Sequence, residues 1–362
     1  MLEGGRAEGG PAAPSPAAST DEVPHEVWER GLGGFLDASY DQSATYAAGK
    51  WGAQRVSACR VTAGGTVLGG AIVVMLSPPG IGRGVAYIKF GPVWRDRGAA
   101  ADPARYRAVV AALVEEYAVR RGHMLTIRPR PHPEVAPVEY AALAAMGFRL
   151  RPQEADRNRY LVDLSLDEAA QAASLSQKWR YNLRQAWKKG VTVAEFAGPA
   201  GAAEVGRLHR QTVARKGFRD EDNFGVLPAM AERLPPGLAP RSFLASAQGR
   251  PVAGAVVGVL GDTAYYLYGA SGDEALPLRA GYALQWGIVA ALRGSGARWY
   301  DLGGDVGETG LRQFKAGLAG SAGAVHAMPG EFHRWSEPLG RLAGEAVFAA
   351  RAVAGRFRSR GA

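Results

Sequence analysis

The stretch Thr263–Gly317 reads TAYYLYGASGDEALPLRAGYALQWGIVAALRGSGARWYDLGGDVGETGLRQFKAG, and its order of elements decides the predicted fold. An aromatic run with high strand propensity, Tyr265–Tyr268, precedes the helical apolar pattern of Tyr282–Leu292. A second strand begins at Trp299 and runs into a pair of glycines. This order of strand, helix and strand predicts an α/β protein, in which the loops after the strands carry the reactive groups.

The loop after the second strand is our first candidate site. The turn Gly303–Gly304 follows that strand directly, and Lys315 lies a few residues further on. We expect Lys315 to point into a cleft whose wall carries Tyr266 and Tyr268. Without other information, a surface lysine after a glycine-rich loop is an equally good interpretation of Lys315.

The composition limits the class of protein. A chain of 362 residues with 47% hydrophobic residues favours two globular domains. A single cysteine, Cys59, excludes an intramolecular disulfide, and the spacing of the six histidines does not indicate a zinc site, so we predict no metal. Met1–Thr20 lacks the apolar core of a signal peptide, and together with the lone cysteine this favours a cytoplasmic protein.

The net charge of +9 favours anionic partners. These include nucleic acid, phosphorylated substrates and an acidic membrane surface. An arginine-rich composition without any such partner explains the charge equally well. No stretch of the sequence approaches the apolar length of about 18–20 residues that a membrane-spanning helix needs.

The second half of the sequence repeats the order of the first. Ala245–Leu260 aligns with Val61–Leu76, and each copy continues with an aromatic strand, a helix and a glycine turn before the next strand. Such a long period favours a duplicated domain, with chance alignment of Gly-, Ala- and Val-rich strands as the alternative. We predict a disordered tail at 1–22, a first domain at 23–162 with the C-terminal helix 333–362 packed on it, and a second domain at 163–332.

A basic helix is predicted between the two halves. Lys178–Lys189 contains five positive charges and no acid. Arg180 and Arg184 lie one turn apart, so they favour an anion-binding site over a solvated basic surface. Three apolar residues at helical spacing are expected to dock on the core: Trp179, Leu183 and Trp187.

The C-terminal stretch Trp335–Arg360 is predicted to be an amphipathic helix. We expect its apolar stripe to pack on the body of the protein, while the terminal arginines have the charge to touch an anionic lipid surface. The stripe consists of Trp335, Leu339, Leu342, Ala346, Val353 and Phe357.

These features together resemble the FemABX family, whose members are aminoacyl-tRNA-dependent peptidyltransferases that build peptidoglycan cross-bridges. The resemblance implies two tandem GNAT-like domains with mixed sheets facing a shared cleft, and a C-terminal helix that packs back on the first domain. The stretches that carry it are YIKFGPVW (Tyr87–Trp94), KWRYNLRQAWKKGV (Lys178–Val191), HRQTVARKGF (His209–Phe218), YYLYGAS (Tyr265–Ser271), YALQWGIVAALRGSGARWYDLGG (Tyr282–Gly304) and GLRQFKAGLAG (Gly310–Gly320).

The resemblance also implies roles for individual residues. Lys50 and Arg180 match residues that hold the diphosphate of the muropeptide precursor, with Arg184 on the same helix face as Arg180. Tyr266 and Tyr268 match aromatic residues that line the substrate channel.

The catalytic roles that the resemblance implies fall on two residues. Lys315 matches the lysine near the reacting carbonyl. Asp96 lies near an acidic residue considered as a base, although its spacing differs by one. Leu318 and Gln313 depart from the usual residues of the final motif, which affects the preference for donor or acceptor rather than the fold.

The implied activity is transfer of an amino acid from aminoacyl-tRNA to the stem-peptide amine of a peptidoglycan precursor. The precursor is lipid II or UDP-MurNAc-pentapeptide, no cofactor is needed, and peripheral contact with the inner membrane face is compatible with the charge. One alternative is an acyl-CoA-dependent GNAT N-acyltransferase, although Arg279–Gly281 provides only one glycine where its pyrophosphate loop needs more. A non-catalytic protein that binds tRNA or a membrane is the other alternative.

Overall fold

The chain forms two seven-stranded β-sheets with helices packed around both. This is the α/β architecture with mixed sheets that the sequence predicts. The computed structural model describes residues 17–152, 158–196, 198–216, 224–305 and 309–360. Its strands are β1 (Ser19–Val23), β2 (Val56–Ala63), β3 (Thr66–Leu76), β4 (Val85–Lys89), β5 (Met124–Arg128), β6 (Arg149–Pro152), β7 (Asn158–Asp163), β8 (Thr192–Phe196), β9 (Arg241–Ala247), β10 (Arg250–Leu260), β11 (Thr263–Ser271), β12 (Trp299–Gly304), β13 (Ala324–Ala327) and β14 (Gly330–Arg334).

The helices connect these strands and cover the sheets. Short 3₁₀ turns lie between some of them, and the third helix continues as a π-helical segment, Val114–Arg120. The helices are α1 (His25–Leu32), α2 (Ala44–Trp51), α3 (Pro103–Leu113), α4 (Ala136–Ala145), α5 (Glu168–Ser174), α6 (Gln177–Lys188), α7 (Pro199–Lys216), α8 (Leu227–Arg233), α9 (Ala275–Leu278), α10 (Ala280–Leu292), α11 (Thr309–Ala319) and α12 (Pro338–Arg360).

The two sheets share one internal arrangement. The first has the order β1-β2-β3-β4-β5-β14-β6, and the second, read in the same direction, has the order β8-β9-β10-β11-β12-β7-β13. In each sheet only the fourth and fifth strands of this order are parallel neighbours. The strands that the sequence alignment matches, β3 and β10, are the third strands of their sheets. The common order supports the predicted duplication, with β1–β7 forming the first half and β8–β14 the second half of the chain.

Each half contributes its last strand to the sheet of the other half. β7 follows β6 in sequence but pairs with β12 and β13, while β14 follows β13 but pairs with β5 and β6. The predicted boundaries 23–162 and 163–332 are therefore wrong for these two strands. Sequence periodicity predicts a strand, but the choice of partner depends on contacts that are distant in sequence.

The N-terminal tail is shorter than predicted. The prediction of a disordered tail at 1–22 is wrong for Ser19–Glu22, because β1 pairs along β2. Residues 1–16 lie outside the described ranges.

The C-terminal helix packs on the first sheet, as expected, but not with the predicted stripe. Phe348 of α12 is buried against Val85, Tyr87 and Met124 of that sheet. Of the residues expected to pack there, Leu339 is 52% and Leu342 66% exposed, whereas Trp335 does contact this cluster. The side chain of Phe357 lies outside the described residues. The prediction is wrong because the helix is apolar on both sides, so apolar periodicity did not identify the buried one.

Candidate functional site

The candidate site lies where β11 and β12 separate. These parallel strands pair only from Thr263–Tyr265 against Trp299–Asp301. Beyond that point β11 is irregular, since its pairing with β10 skips Leu267. A bulge of this kind bends a strand and changes its direction. The end of β12 is thus left beside an opening in the sheet rather than beside a fully paired neighbour.

Lys315 is buried at the opening between β11 and β12. Its side chain is on α11, is 8% exposed, and its Nζ donates a 2.6 Å hydrogen bond to the carbonyl oxygen of Gly304. A Cβ on Gly303 would lie 3.5 Å from Nζ, and the φ of +79° at Gly303 favours glycine there. The structure thus brings Gly303, Gly304 and Lys315 together, as the sequence predicts. An ammonium group has three donors, and Gly304 uses one of them.

The position of α11 depends on α6. Trp179 Nε1 donates a 3.1 Å hydrogen bond to the carbonyl oxygen of Phe314, the residue before Lys315. Gly317 approaches α6 so closely that a Cβ there would lie 2.8 Å from Ser176 Oγ. Ser176 also caps α6 by accepting a hydrogen bond from the backbone N–H of Trp179. The basic helix therefore holds the helix of Lys315 through its buried face.

The pKa of Lys315 is lowered to about 8, chiefly by burial and in part by the nearby charge of Arg159, while Asp301 and Asp305 oppose the shift. Arg159 lies on β7, the strand exchanged from the first half, and binds Asp301 through two nitrogens, with the closest contact at 2.7 Å. Asp301 is only 1% exposed. The exchanged strand thus brings a guanidinium beside the carboxylate at the end of β12.

A second group of charges reaches this place from the first half. The Arg159 guanidinium lies 5.3 Å from the centre of the Phe90 ring, and Lys89 Nζ lies 4.9 Å from the same centre. Lys89 forms a 3.0 Å ion pair with Asp41. Phe90 adopts a φ of +52°, which is unusual for a bulky residue and is typical of constrained functional segments.

Lys50 belongs to the same group. The pKa of Lys89 is lowered to about 8, chiefly by burial; Asp41 opposes this shift, while the charges of Lys50 and Arg159 add to it. Burial alone would raise the pKa of Asp41, but Lys89 and Lys50 hold it below its usual value. Together with Lys315, these side chains form a row of cations that passes from the first half to the end of β12. We call this row the cation row; it consists of Lys50, Lys89, Arg159 and Lys315.

Sequence reasoning identified two members of the cation row and missed two. The sequence could have identified Lys89 as a site residue, because it ends a strand close to the Gly-Pro turn in YIKFGPVW. Arg159 offered no comparable signal. Its place beside Asp301 depends on the strand exchange, which the sequence pattern does not contain.

Arg180 and Arg184 are placed differently from the predicted anion site. Arg180 donates to the carbonyl oxygens of Ala173 (3.0 Å) and Leu175 and so caps the end of α5. Arg184 is exposed on α6. The expected burial of Trp187 is wrong, since it is 51% exposed, whereas Trp179 and Leu183 are buried as predicted.

Tyr266 and Tyr268 do not share one wall. Tyr266 packs on the core beneath α6, α10 and α11, whereas Tyr268 belongs to the core between the two halves. Residues two positions apart on a regular strand face the same side of the sheet. The irregularity at Leu267 reverses this alternation of side chains, so Tyr266 and Tyr268 face opposite sides. The expectation of a common wall is therefore wrong, and only Tyr266 lies on the side of the sheet that carries α11.

Asp96 lies in a different part of the molecule from Lys315. It forms an ion pair with Arg105, including a 2.9 Å hydrogen bond from Nη2. It also lines a largely apolar pocket in the first half with Trp28, Leu32 and Phe35. The structure does not bring Asp96 to the cation row, and its predicted role as a base stays a prediction.

A buried ion network joins the two halves beside the site. Asp262, in the turn between β10 and β11, accepts hydrogen bonds from Arg130 at 2.6 Å and from Arg95 at 2.8 Å. Arg130 also donates to Thr263 Oγ1 at 2.7 Å, at the first residue of β11 that pairs with β12. Burial alone would raise the pKa of Asp262, but Arg130 and His132 hold it far below its usual value. The network sets the position of β11 relative to the first half.

Two further observations concern the described part of the chain. It contains no group of three or more His, Cys, Asp or Glu side chains that would suit a metal ion. Among its helices, none combines the length and the apolar character needed to cross a membrane.

Comparison with known proteins agrees with this architecture. Residues 177–316 match the family model of an acetyltransferase (GNAT) domain. A search of curated protein sequences gives no match.

Solved structures resemble most of the chain. The crystal structure of FemX is 18% identical with a TM-score of 0.71, covering 90% of this chain and 99% of FemX. The C-terminal domain of a putative lysylphosphatidylglycerol synthetase from Agrobacterium fabrum is 14% identical with a TM-score of 0.55, covering 88% of this chain and 95% of that one. L-PGS from Bacillus licheniformis is 12% identical with a TM-score of 0.52, covering 92% and 96%. The chain therefore has the double GNAT-like fold of the FemX type.

Proposed function

We propose that the protein is an aminoacyltransferase that moves an amino acid from aminoacyl-tRNA to the stem-peptide amine of a peptidoglycan precursor. The observation that carries the proposal is Lys315, a buried ammonium held by Gly304 at the opening between β11 and β12. The GNAT match and the FemX-type fold support acyl transfer as the general reaction. The choice of donor and acceptor belongs to the proposal.

The reaction is aminolysis of an ester. A neutral amine attacks the ester carbonyl, and the carbonyl oxygen becomes negatively charged in the tetrahedral intermediate. A preorganised cation beside that oxygen stabilises the charge, and one such donor typically accelerates a reaction by about 10²–10³-fold. Lys315 is suited to this role, because a donor remains after its bond to Gly304 and burial strengthens its field.

Collapse of the intermediate breaks the C–O bond and releases a ribose hydroxyl of the tRNA. The leaving oxygen needs a proton, and the attacking nitrogen loses one. With its pKa lowered to about 8, Lys315 is able to donate the first proton and to recover the second. No covalent enzyme intermediate is required, since the ester supplies the driving force and the protein has to align the two substrates.

The cation row supports an anionic acceptor. Lys50 and Lys89 lie on the first half and act electrostatically on each other and on Asp41. A diphosphate of UDP-MurNAc-pentapeptide or lipid II would be attracted by these charges, in agreement with the role that the family resemblance implies for Lys50. Arg180 supports this less, because it caps α5.

The test is a transfer assay with a mass readout. Purified protein is incubated with either form of the precursor and with charged tRNA or acetyl-CoA. We expect a tRNA-dependent gain of one amino-acid residue on the acceptor, and the mass identifies the amino acid. A gain of an acetyl group from acetyl-CoA would instead establish an acyl-CoA-dependent N-acyltransferase. Binding of tRNA without transfer to either precursor would contradict the proposal in favour of a binding protein.

A further inference from the structure

The helix α12 has two apolar faces, of which one is covered. Its inner face packs closely on the first sheet through small residues: a Cβ on Gly340 would lie 2.4 Å from the carbonyl oxygen of Gly122, and one on Gly344 would lie 2.4 Å from Met124 Cε. Ala343 and Phe348 complete this buried side. Packing on the body of the protein therefore covers only the inner face of α12.

The outer face of α12 is a continuous exposed apolar stripe. Its residues are spaced alternately by three and four positions, so they lie on one side of the helix. Leu342 is 66%, Leu339 52% and Val353 51% exposed. We call this stripe the outer stripe; it consists of Leu339, Leu342, Ala346, Ala349 and Val353, all exposed.

Positive charge accompanies the outer stripe. The sequence Pro338–Arg360 carries five arginines and one acid, Glu345, which forms an ion pair with Arg151. One of the five, Arg351, stacks on Trp51 on the inner side of the helix, which leaves four for the surface around the stripe and the end of the helix. At the start of the helix, Trp335 is half-buried, and the guanidinium groups of Arg149 and Arg341 each lie 5.1 Å from its ring. Tryptophan beside arginine is typical of the boundary between lipid and water.

We propose that the outer stripe docks on an anionic phospholipid surface, with α12 lying in the plane of the membrane. Apolar residues would enter the boundary between headgroups and acyl chains while the arginines meet lipid phosphates, so that apolar burial and charge attraction act together. A second copy of the chain fits the stripe less well, because two arginine-rich helices would be brought together. This proposal does not depend on the transferase activity.

Vesicle co-sedimentation tests the docking. We expect the protein to bind vesicles of equal parts phosphatidylglycerol and phosphatidylcholine, less at high salt, and not to bind pure phosphatidylcholine. The double substitution Leu339→Glu/Leu342→Glu should lower the affinity at least about tenfold, since it removes two apolar anchors and adds repulsion. Leu339→Ser/Leu342→Ser removes the anchors alone and should lower it less.

The matched control is Leu276→Glu, at a leucine in α9 that is 78% exposed. It should leave vesicle binding unchanged, and thermal unfolding should show that all variants are folded. Absence of binding by the parent protein, equal binding to neutral vesicles or an equal loss with Leu276→Glu would overturn the proposal. It would also be overturned if light scattering showed a dimer that the double substitution dissociates without any vesicle binding.

Discussion

The parallel strand pairs of the two halves differ, although the sheets have the same order. In the first half, β4 and β5 pair over the five residues of Val85–Lys89, and the backbone N–H of Phe90 continues the contact to Arg128 at 2.7 Å. In the second half, β11 and β12 pair over only three residues, Thr263–Tyr265. The duplicated architecture thus contains one parallel pair that stays hydrogen-bonded to its end, which we call the closed pair, and one that separates after three residues, which we call the open pair. Lys315 lies at the open pair.

The half that contains the closed pair supplies positive charge to the surroundings of the open pair. Lys89 at the end of β4 belongs to the cation row, and Arg159 reaches the end of β12 on the exchanged strand β7. The first half therefore contributes charge to the opening in the second half. The second half thus holds the candidate lysine, Lys315, and the first half adds positive charge to its surroundings.

The largest effect is expected at the open pair. Lys315→Met should reduce transfer by about 10²–10³-fold, because the cation beside the developing oxyanion is lost. The free energy of unfolding should not fall and should rise by at most about 3 kcal/mol at pH 7, since burial of a charged lysine is costly. Measured kcat and thermal unfolding check both parts. Lys188→Met, at an exposed position of α6, is the control. Equal activity of the two variants would refute the role of Lys315.

The pH dependence sharpens the same point. Lys315 is charged below its pKa of about 8 and loses its proton as the pH rises through that value. The rate of the transfer step that depends on this charge should therefore decline above pH 8. A transfer rate that keeps rising to pH 9 would contradict an oxyanion role for Lys315. The stability cost of the charge is fully present below pH 8 and disappears towards the ordinary lysine pKa, so stability should rise over this interval.

An intermediate effect is expected where the two halves meet. Asp262→Ala should lower the free energy of unfolding by about 3–5 kcal/mol, because it leaves the guanidinium of Arg130 buried without its carboxylate. The exposed pair of Arg250 and Glu274 provides the control, and Glu274→Ala should cost at most about 1 kcal/mol. Denaturant unfolding measures both. Similar values for the two substitutions would mean that the network does not hold the halves together.

The smallest effect concerns the irregular strand β11. A Cβ on Gly269 would lie 1.4 Å from the Tyr266 hydroxyl oxygen, so Gly269→Ala must displace that ring or the strand. We expect a cost of about 1–3 kcal/mol and a change in transfer rate through Tyr266. Gly82→Ala, before the closed pair, has open space for its Cβ and serves as control. Unchanged stability and activity of Gly269→Ala would show that the position of Tyr266 does not matter.

Much of the fold could be predicted from local patterns. The aromatic run and the apolar period of 3.6 predicted β11 and α10, and the stretch Lys178–Lys189, with its charges and its apolar spacing, predicted α6. These features depend on residues close in sequence, whose propensities and caps act locally. The candidate lysine followed from the same reasoning, because a loop after a strand of an α/β unit is a common place for a site.

Other parts could not be predicted, for identifiable reasons. Trp187 has the same spacing as the buried residues of α6 but lies beyond the surface that covers them. The packing stripe predicted for α12 shares Leu339, Leu342, Ala346 and Val353 with the exposed outer stripe, because apolar residues occur on both sides of that helix. Periodicity shows that a face is apolar, but only the neighbouring elements decide whether it is covered.

Local order along the chain thus predicted element types such as those of β11 and α10, indicated the duplicated pattern and marked Lys315 as a candidate. Pairing between distant strands determined the rest: the exchange of β7 and β14, the placement of Arg159 beside Asp301, and the opposite facing of Tyr266 and Tyr268. A strand carries two unpaired edges, and its sequence specifies neither its partner nor its register uniquely. Those choices follow from the free energy of the whole assembled core.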